Sequence, residues 1–162
     1  MTSEQPFTGL SSKEINEINH EIAHYSDKSA ASIEALKIIQ KYRRWVSDDS
    51  LKAVAELLDM SPDELDGIAT FYNLIYRLPV GEQVIHYCDS VSCWILGCDQ
   101  ICEQLSESLD VKVGGTTADG KYTLLPIVCL GDCDNAPVMM VGDTLHRHLN
   151  PEAIKKLFAD HG

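Results

Sequence analysis

The chain has 162 residues and is 44% hydrophobic, enough for one domain or two small ones with buried cores. Its 25 acidic against 13 basic residues leave a net charge of −12, which argues against nucleic acid or an anionic membrane surface as a direct partner. The opening MTSEQPFTGL has no apolar stretch behind a positive start, so neither a signal nor a transit peptide is expected, and the longest apolar runs fall far short of a membrane span.

The first half reads as helical throughout. Ser11 with Glu14 has the form of a capping box, and Ile15, Ile18 and Ile22 share one face of a helix expected to end near Tyr25. A second helix from about Ser29 carries Ile33, Leu36, Ile39 and Trp45. The polar stretch from Ser47 to Ser50 then supplies a loop and the cap for a third apolar face, Leu51, Val54, Ala55 and Leu58. Ser61-Pro62-Asp63-Glu64 is the strongest helix start, with a capping serine, a proline at the first helical position and acids where the helix dipole favours them. Leu65, Ile68, Ala69, Tyr72 and Ile75 follow at helical spacing. Gly67 costs that helix about 1 kcal/mol relative to alanine, so a close-packing or positional reason is expected there. Phe71, Tyr72 and Tyr76 read as core aromatics. Leu78-Pro79-Val80-Gly81 stops the helix and sets the expected boundary between a helical domain, 1–80, and a second domain, 81–162.

From Gln83 the pattern changes. Val84 to Tyr87 reads as a strand ending on Cys88, Trp94 to Leu109 as one helix with Ile95, Cys98, Cys102 and Leu105 on related faces, and Tyr122 to Val128 as a strand entering Cys129. Val138 to Val141 and Leu145 to Leu149 form a hairpin about Gly142-Asp143. Asn150-Pro151-Glu152 opens a closing helix with Ile154, Leu157 and Phe158 inward. The expected fold class is α+β, a helical bundle followed by a small sheet with packed helices of the thioredoxin-like sort.

Six cysteines in a chain without a secretory signal suggest a reducing compartment, where clustered thiols more often bind metal than form disulfides. Cys88 and Cys93 flank a loop at one strand end, and Cys129 and Cys133 flank another. Neighbouring strand ends would bring the pairs together as a four-sulfur site, with Gly131 letting the second loop turn backbone N–H groups toward sulfur. Cys98 and Cys102, four apart on a helix, read as packing residues. Neither ligand pair has the short knuckle spacing of structural zinc sites, so the spacing favours an iron–sulfur centre over zinc while leaving [2Fe-2S] and [4Fe-4S] open. The histidines are weaker signals. His20 and His24 lie four apart on the first helix, His86 sits just before the first cysteine loop, and His146 and His148 would share a solvated strand face.

The stretches Ile33-Glu-Ala-Leu-Lys-Ile-Ile-Gln-Lys41, Gly67-Ile-Ala-Thr-Phe-Tyr72, Cys88-Asp-Ser-Val-Ser-Cys93 and Leu125-Pro-Ile-Val-Cys-Leu-Gly-Asp-Cys-Asp-Asn-Ala-Pro137 resemble the 24 kDa (E) subunits of bacterial NADH:quinone oxidoreductase, respiratory complex I, from about Ser11 onward. The resemblance implies a thioredoxin-like ferredoxin domain behind a helical one. By that resemblance the second domain would hold one [2Fe-2S] cluster on Cys88, Cys93, Cys129 and Cys133, and no substrate site of its own is expected. It also implies docking onto a flavin- and NADH-binding subunit (F) carrying FMN, with the iron–sulfur G subunit nearby. The location would be the cytoplasmic side of the inner membrane, without direct membrane contact. The equivalent subunit of an NAD-linked formate dehydrogenase or hydrogenase, and a zinc-stabilised assembly scaffold, are the alternatives. A cis Ala136–Pro137 peptide bond is a further expectation.

Overall fold

A computed structural model describes residues 9–159, so the extreme ends of both expected domains lie outside the described residues. The chain divides into two compact units, with the boundary between Pro79 and Val80.

The first unit is built from α1 (Ser12–Ile22), a short 3-10 turn (Lys28–Ala31), α2 (Ser32–Arg43), α3 (Asp48–Leu57) and α4 (Pro62–Phe71). Complete capping boxes start α1 and α4, in which Ser11 and Ser61 accept from the backbone of Glu14 and Glu64 while each glutamate reaches back to the cap. Apolar stripes from all of these helices meet in one core containing Ile18, Leu36, Ile39, Val54, Leu58 and Leu65. Glu14 is buried there at 2% exposure. Its carboxylate takes Arg43 Nε and Nη2 at 2.6 and 2.7 Å, and Arg43 also donates to Ser50 Oγ at 2.9 Å and to the Gly9 carbonyl at 3.0 Å.

Three expectations for this unit change. Arg44 turns left-handed and ends α2, which leaves Trp45 outside the helix. Tyr72 adopts an extended backbone and ends α4, so helical spacing no longer governs the aromatics beyond it. Phe71 is 80% exposed and Tyr72 42% exposed, edge to face with each other rather than in the core. Ile75 is buried all the same, because the Gln40 side chain binds the Leu74 carbonyl and the Tyr76 amide on either side of it. Gly67 has no neighbour that an added Cβ would meet, so close packing does not account for it.

The second unit runs β1 (Gln83–Cys88), α5 (Val91–Ile95), α6 (Cys98–Leu109), β2 (Tyr122–Ile127), β3 (Met139–Val141), β4 (Thr144–His146) and α7 (Pro151–Leu157). Its sheet has the order β2-β1-β3-β4, with β1 and β2 parallel and the other neighbours antiparallel. The parallel pair needs the α5–α6 crossover between its strands, and β3–β4 is a hairpin. This is the thioredoxin-like arrangement expected. On one face Ile85, Tyr87 and Leu124 pack with Ile101 and Leu105 of α6 and Ile154 and Phe158 at α7. The Ala136–Pro137 bond is cis.

Gly97, at φ +94°, divides the single helix expected over 94–109 into α5 and α6. Ile95 consequently points to solvent at 70% exposure instead of joining Leu105. His148 lies past β4 with a left-handed backbone, so it shares no strand face with His146. Leu157, expected inward, is 42% exposed.

Candidate metal centre

Parallel pairing of β1 with β2 puts Cys88 opposite Ile127, so both strands finish at one level and the loops beyond them begin side by side. The Cys88 amide donates to the Val138 carbonyl at 3.1 Å, and the Asp89 amide to the Ile127 carbonyl at 3.1 Å, fixing the first loop between two neighbouring segments. Cys88 and Cys93 are buried at 2% and 1% exposure, with Ile127, Ala136 and Val138 around them. Cys93 is presented by the single turn of α5 and receives a hydrogen bond from the Val138 backbone.

Cys129 and Cys133 are exposed, and their sulfurs stand 3.8 Å apart. A tetrahedral metal with metal–sulfur bonds of about 2.3 Å holds two thiolates roughly 3.8 Å apart, so this pair already has the bite of a single metal ion. Between them Gly131 sits at φ +76° and donates its N–H to Cys129 Sγ at 3.3 Å, as expected of a loop that turns its amides toward sulfur. The loop is braced from outside. Arg147 and Asn135 both donate to the Asp132 carboxylate, and the His148 amide donates to the Asn135 carbonyl at 2.9 Å. The Ser92 hydroxyl of α5 interacts with Cys133, linking the two cysteine loops.

Burial pushes the Cys93 thiol up to about 11, reinforced by its hydrogen bond with Cys88 and by that neighbour's charge. Cys133 is raised by its hydrogen bond with Cys129 and then by the Cys129 charge. Within each pair, one thiolate discourages the next. A cation between them reverses the sign of that interaction and drives both protons off.

Among the described residues no group of three or more His, Cys, Asp or Glu side chains surrounds a single ion position. Two separate thiol pairs suit a two-iron cluster, which takes two cysteines on each iron, better than one zinc ion that needs all its ligands on a single centre. The four thiols therefore fit a [2Fe-2S] group. Cys98 lies buried beside Cys88 and Cys93, its thiol raised by burial and by Asp99, and Cys102 packs against the sheet core while hydrogen-bonding the Tyr87 hydroxyl. His86 is buried in the sheet, and burial lowers its pKa. Ser92 and the Asp132–Arg147 brace escape sequence reasoning, because neither contact has a local pattern. The one signal, an Arg between two histidines near the hairpin end, does not name its partner.

The family model described as thioredoxin-like [2Fe-2S] ferredoxin matches residues 18–161. The E subunit of the NADH-quinone oxidoreductase of Escherichia coli (strain K12) is 51% identical over 148 residues, covering 91% of this chain and 89% of that protein. The protein of that name from Pseudomonas aeruginosa PAO1 is 46% identical over the same shares. Among solved structures, an NAD+-reducing [NiFe]-hydrogenase in the air-oxidized state superposes with a TM-score of 0.68 at 22% identity, over 81% of this chain and 22% of the longer hydrogenase chain. That likeness reports the fold.

Proposed function

The chain belongs to the thioredoxin-like [2Fe-2S] ferredoxin family, and from that premise we infer that it is an electron-transfer subunit of NADH:quinone oxidoreductase. Its cofactor is one [2Fe-2S] cluster, while FMN and NADH belong to the partner subunit. When bound, the cluster supplies a centre that accepts and returns one electron at a time. The observation that carries the reading is the Cys129–Cys133 sulfur pair at 3.8 Å with the Gly131 N–H on Cys129, beside the buried Cys88 and Cys93.

We propose Cys88, Cys93, Cys129 and Cys133 as the ligands. The chain's own contribution is to hold these thiols in pairs, to place an amide N–H against sulfur, and to bury one pair from water while leaving the other at the surface. That asymmetry supports electron exchange on the Cys129–Cys133 side. Exposed Val91, Trp94, Ile95 and Leu96 at α5 and Val128 before Cys129 supply an apolar rim there for a covering subunit. We assign that cover to the flavin- and NADH-binding F subunit, with the G subunit nearby in the assembly. No helix among the described residues is long and apolar enough to cross a membrane. We place the chain peripherally, on the cytoplasmic side of the bacterial inner membrane.

Mixing the anaerobically purified chain with NADH tests this assignment. The chromophore is expected to bleach only when the flavin-carrying partner is added. Direct bleaching by NADH alone would contradict a subunit without its own substrate site.

A further inference from the structure

The second unit absorbs every thiol-based feature of the site, but two imidazoles in the first unit have no place in it. His20 lies in the last turn of α1, and the chain continues to wind tightly past the helix end, with the His24 amide donating to the Glu21 carbonyl at 3.0 Å. His24 therefore stays above His20, and the ring centroids are 4.9 Å apart with the planes at 83°. A cation held at about 2.0–2.1 Å by one nitrogen of each ring, at ligand angles from right-angled to tetrahedral, places the centroids roughly 4.5–5.2 Å apart. The observed separation falls inside that window.

The surroundings favour a cation. Glu21 Oε2 is 3.8 Å from His24 Nδ1, near enough for its charge to favour a proton on that nitrogen and leave Nε2 as the ligand atom. Carbonyls at the carboxyl end of α1 add partial negative charge in the same place. The site is open, since the His24 side chain is 57% exposed and His20 with Glu21 edges a surface depression shared with Asn16, Glu17 and Ile38. Glu17 is already engaged by Lys41 and Tyr42 and is not free to coordinate.

We propose that His20 and His24 form a surface site for an imidazole-preferring divalent transition metal such as Ni2+, Zn2+ or Cu2+, with Glu21 orienting His24 and water completing the shell. His20-Glu21-Ile22-Ala23-His24 has the spacing of the zinc-protease helix, in which the intervening glutamate acts as a base. No third protein ligand joins the histidines among the described residues, and the site lies on an open surface, so its chemistry is binding rather than hydrolysis. A bound metal would tie the last turn of α1 to the turn after it.

Equilibrium dialysis of the intact, cluster-loaded chain against Ni2+ tests the site, with visible absorbance and circular dichroism checking that every variant stays folded. His20→Ala and His24→Ala are each expected to weaken Ni2+ binding by about a hundredfold and Glu21→Gln by about tenfold, while His146→Ala leaves it unchanged. Ni2+ should also raise the unfolding midpoint of the wild-type chain and not that of His20→Ala. Wild-type affinity in either His20→Ala or His24→Ala would overturn the proposal, as would an equal loss in His146→Ala.

Discussion

Gly131 serves two ends at one position. Its positive φ lets the loop close between Cys129 and Cys133, and its N–H reaches the Cys129 sulfur. Space is open where a Cβ would go, so Gly131→Ala meets only the left-handed penalty, about 1 kcal/mol. We expect Gly131→Ala to assemble the cluster with a lowered reduction potential, because a loosened N–H stabilises the more negative reduced state less. Redox titration checks this, and an unchanged potential would mean that the amide does not tune the cluster. Glu14 is the corresponding residue of the helical unit. Burial raises its pKa, but hydrogen bonds from Arg43 and from the Ser11 backbone and hydroxyl, with the guanidinium charge, outweigh burial and hold it at about 2. The folded value lies below the unfolded one, so the pair stabilises the unit fully above about pH 4.5, and that contribution is lost as pH falls toward 2. Arg43→Ala leaves a buried carboxylate without its partner and should cost about 3 kcal/mol at neutral pH, and much less near pH 2, by urea unfolding followed through far-ultraviolet circular dichroism.

At the scale of elements, Gly67 offers a direct test of what shapes α4. It is an exposed interior helical residue with nothing around it, so Gly67→Ala should stabilise the isolated chain by about 1 kcal/mol. Destabilisation in thermal unfolding would mean an unrecognised constraint on that helix. The starts of α1 and α4 are legible in the sequence because a capping box is complete within a few residues. Their ends are less so. Apolar spacing continues through Tyr72 and Ile75 although the helix stops at Phe71, because burial of Ile75 is achieved by a loop that Gln40 holds from another helix. The break at Gly97 is hidden for a similar reason, since Ile95, Cys98 and Cys102 keep helical spacing across a residue that is not helical. Periodicity reports which residues tend toward one face, and tertiary contacts decide whether the chain stays helical long enough to use it.

Across the whole molecule, the paired strand ends explain why the two cysteine loops begin side by side. The spacing within each pair is visible in the sequence, whereas the side-by-side start of the two loops depends on β1 and β2 being parallel neighbours, which periodicity does not specify. The burial difference between the pairs, and the brace of Asp132 by Arg147, are likewise products of the fold. The exposed apolar rim gives the assembly its own prediction. Trp94→Asp should keep the cluster and the fold while weakening association with the flavin-carrying subunit by about 2 kcal/mol or more, as measured by titration of the two purified proteins. Unchanged affinity would move the interface elsewhere. The most direct test of the central claim is the iron and acid-labile sulfide content of anaerobically purified variants. Cys129→Ser is expected to lose both together with the red-brown colour, while Cys98→Ala and Cys102→Ala retain the wild-type iron and sulfide. Full iron and sulfide in Cys129→Ser, or their loss in Cys102→Ala, would contradict the assignment of Cys88, Cys93, Cys129 and Cys133 as the four ligands.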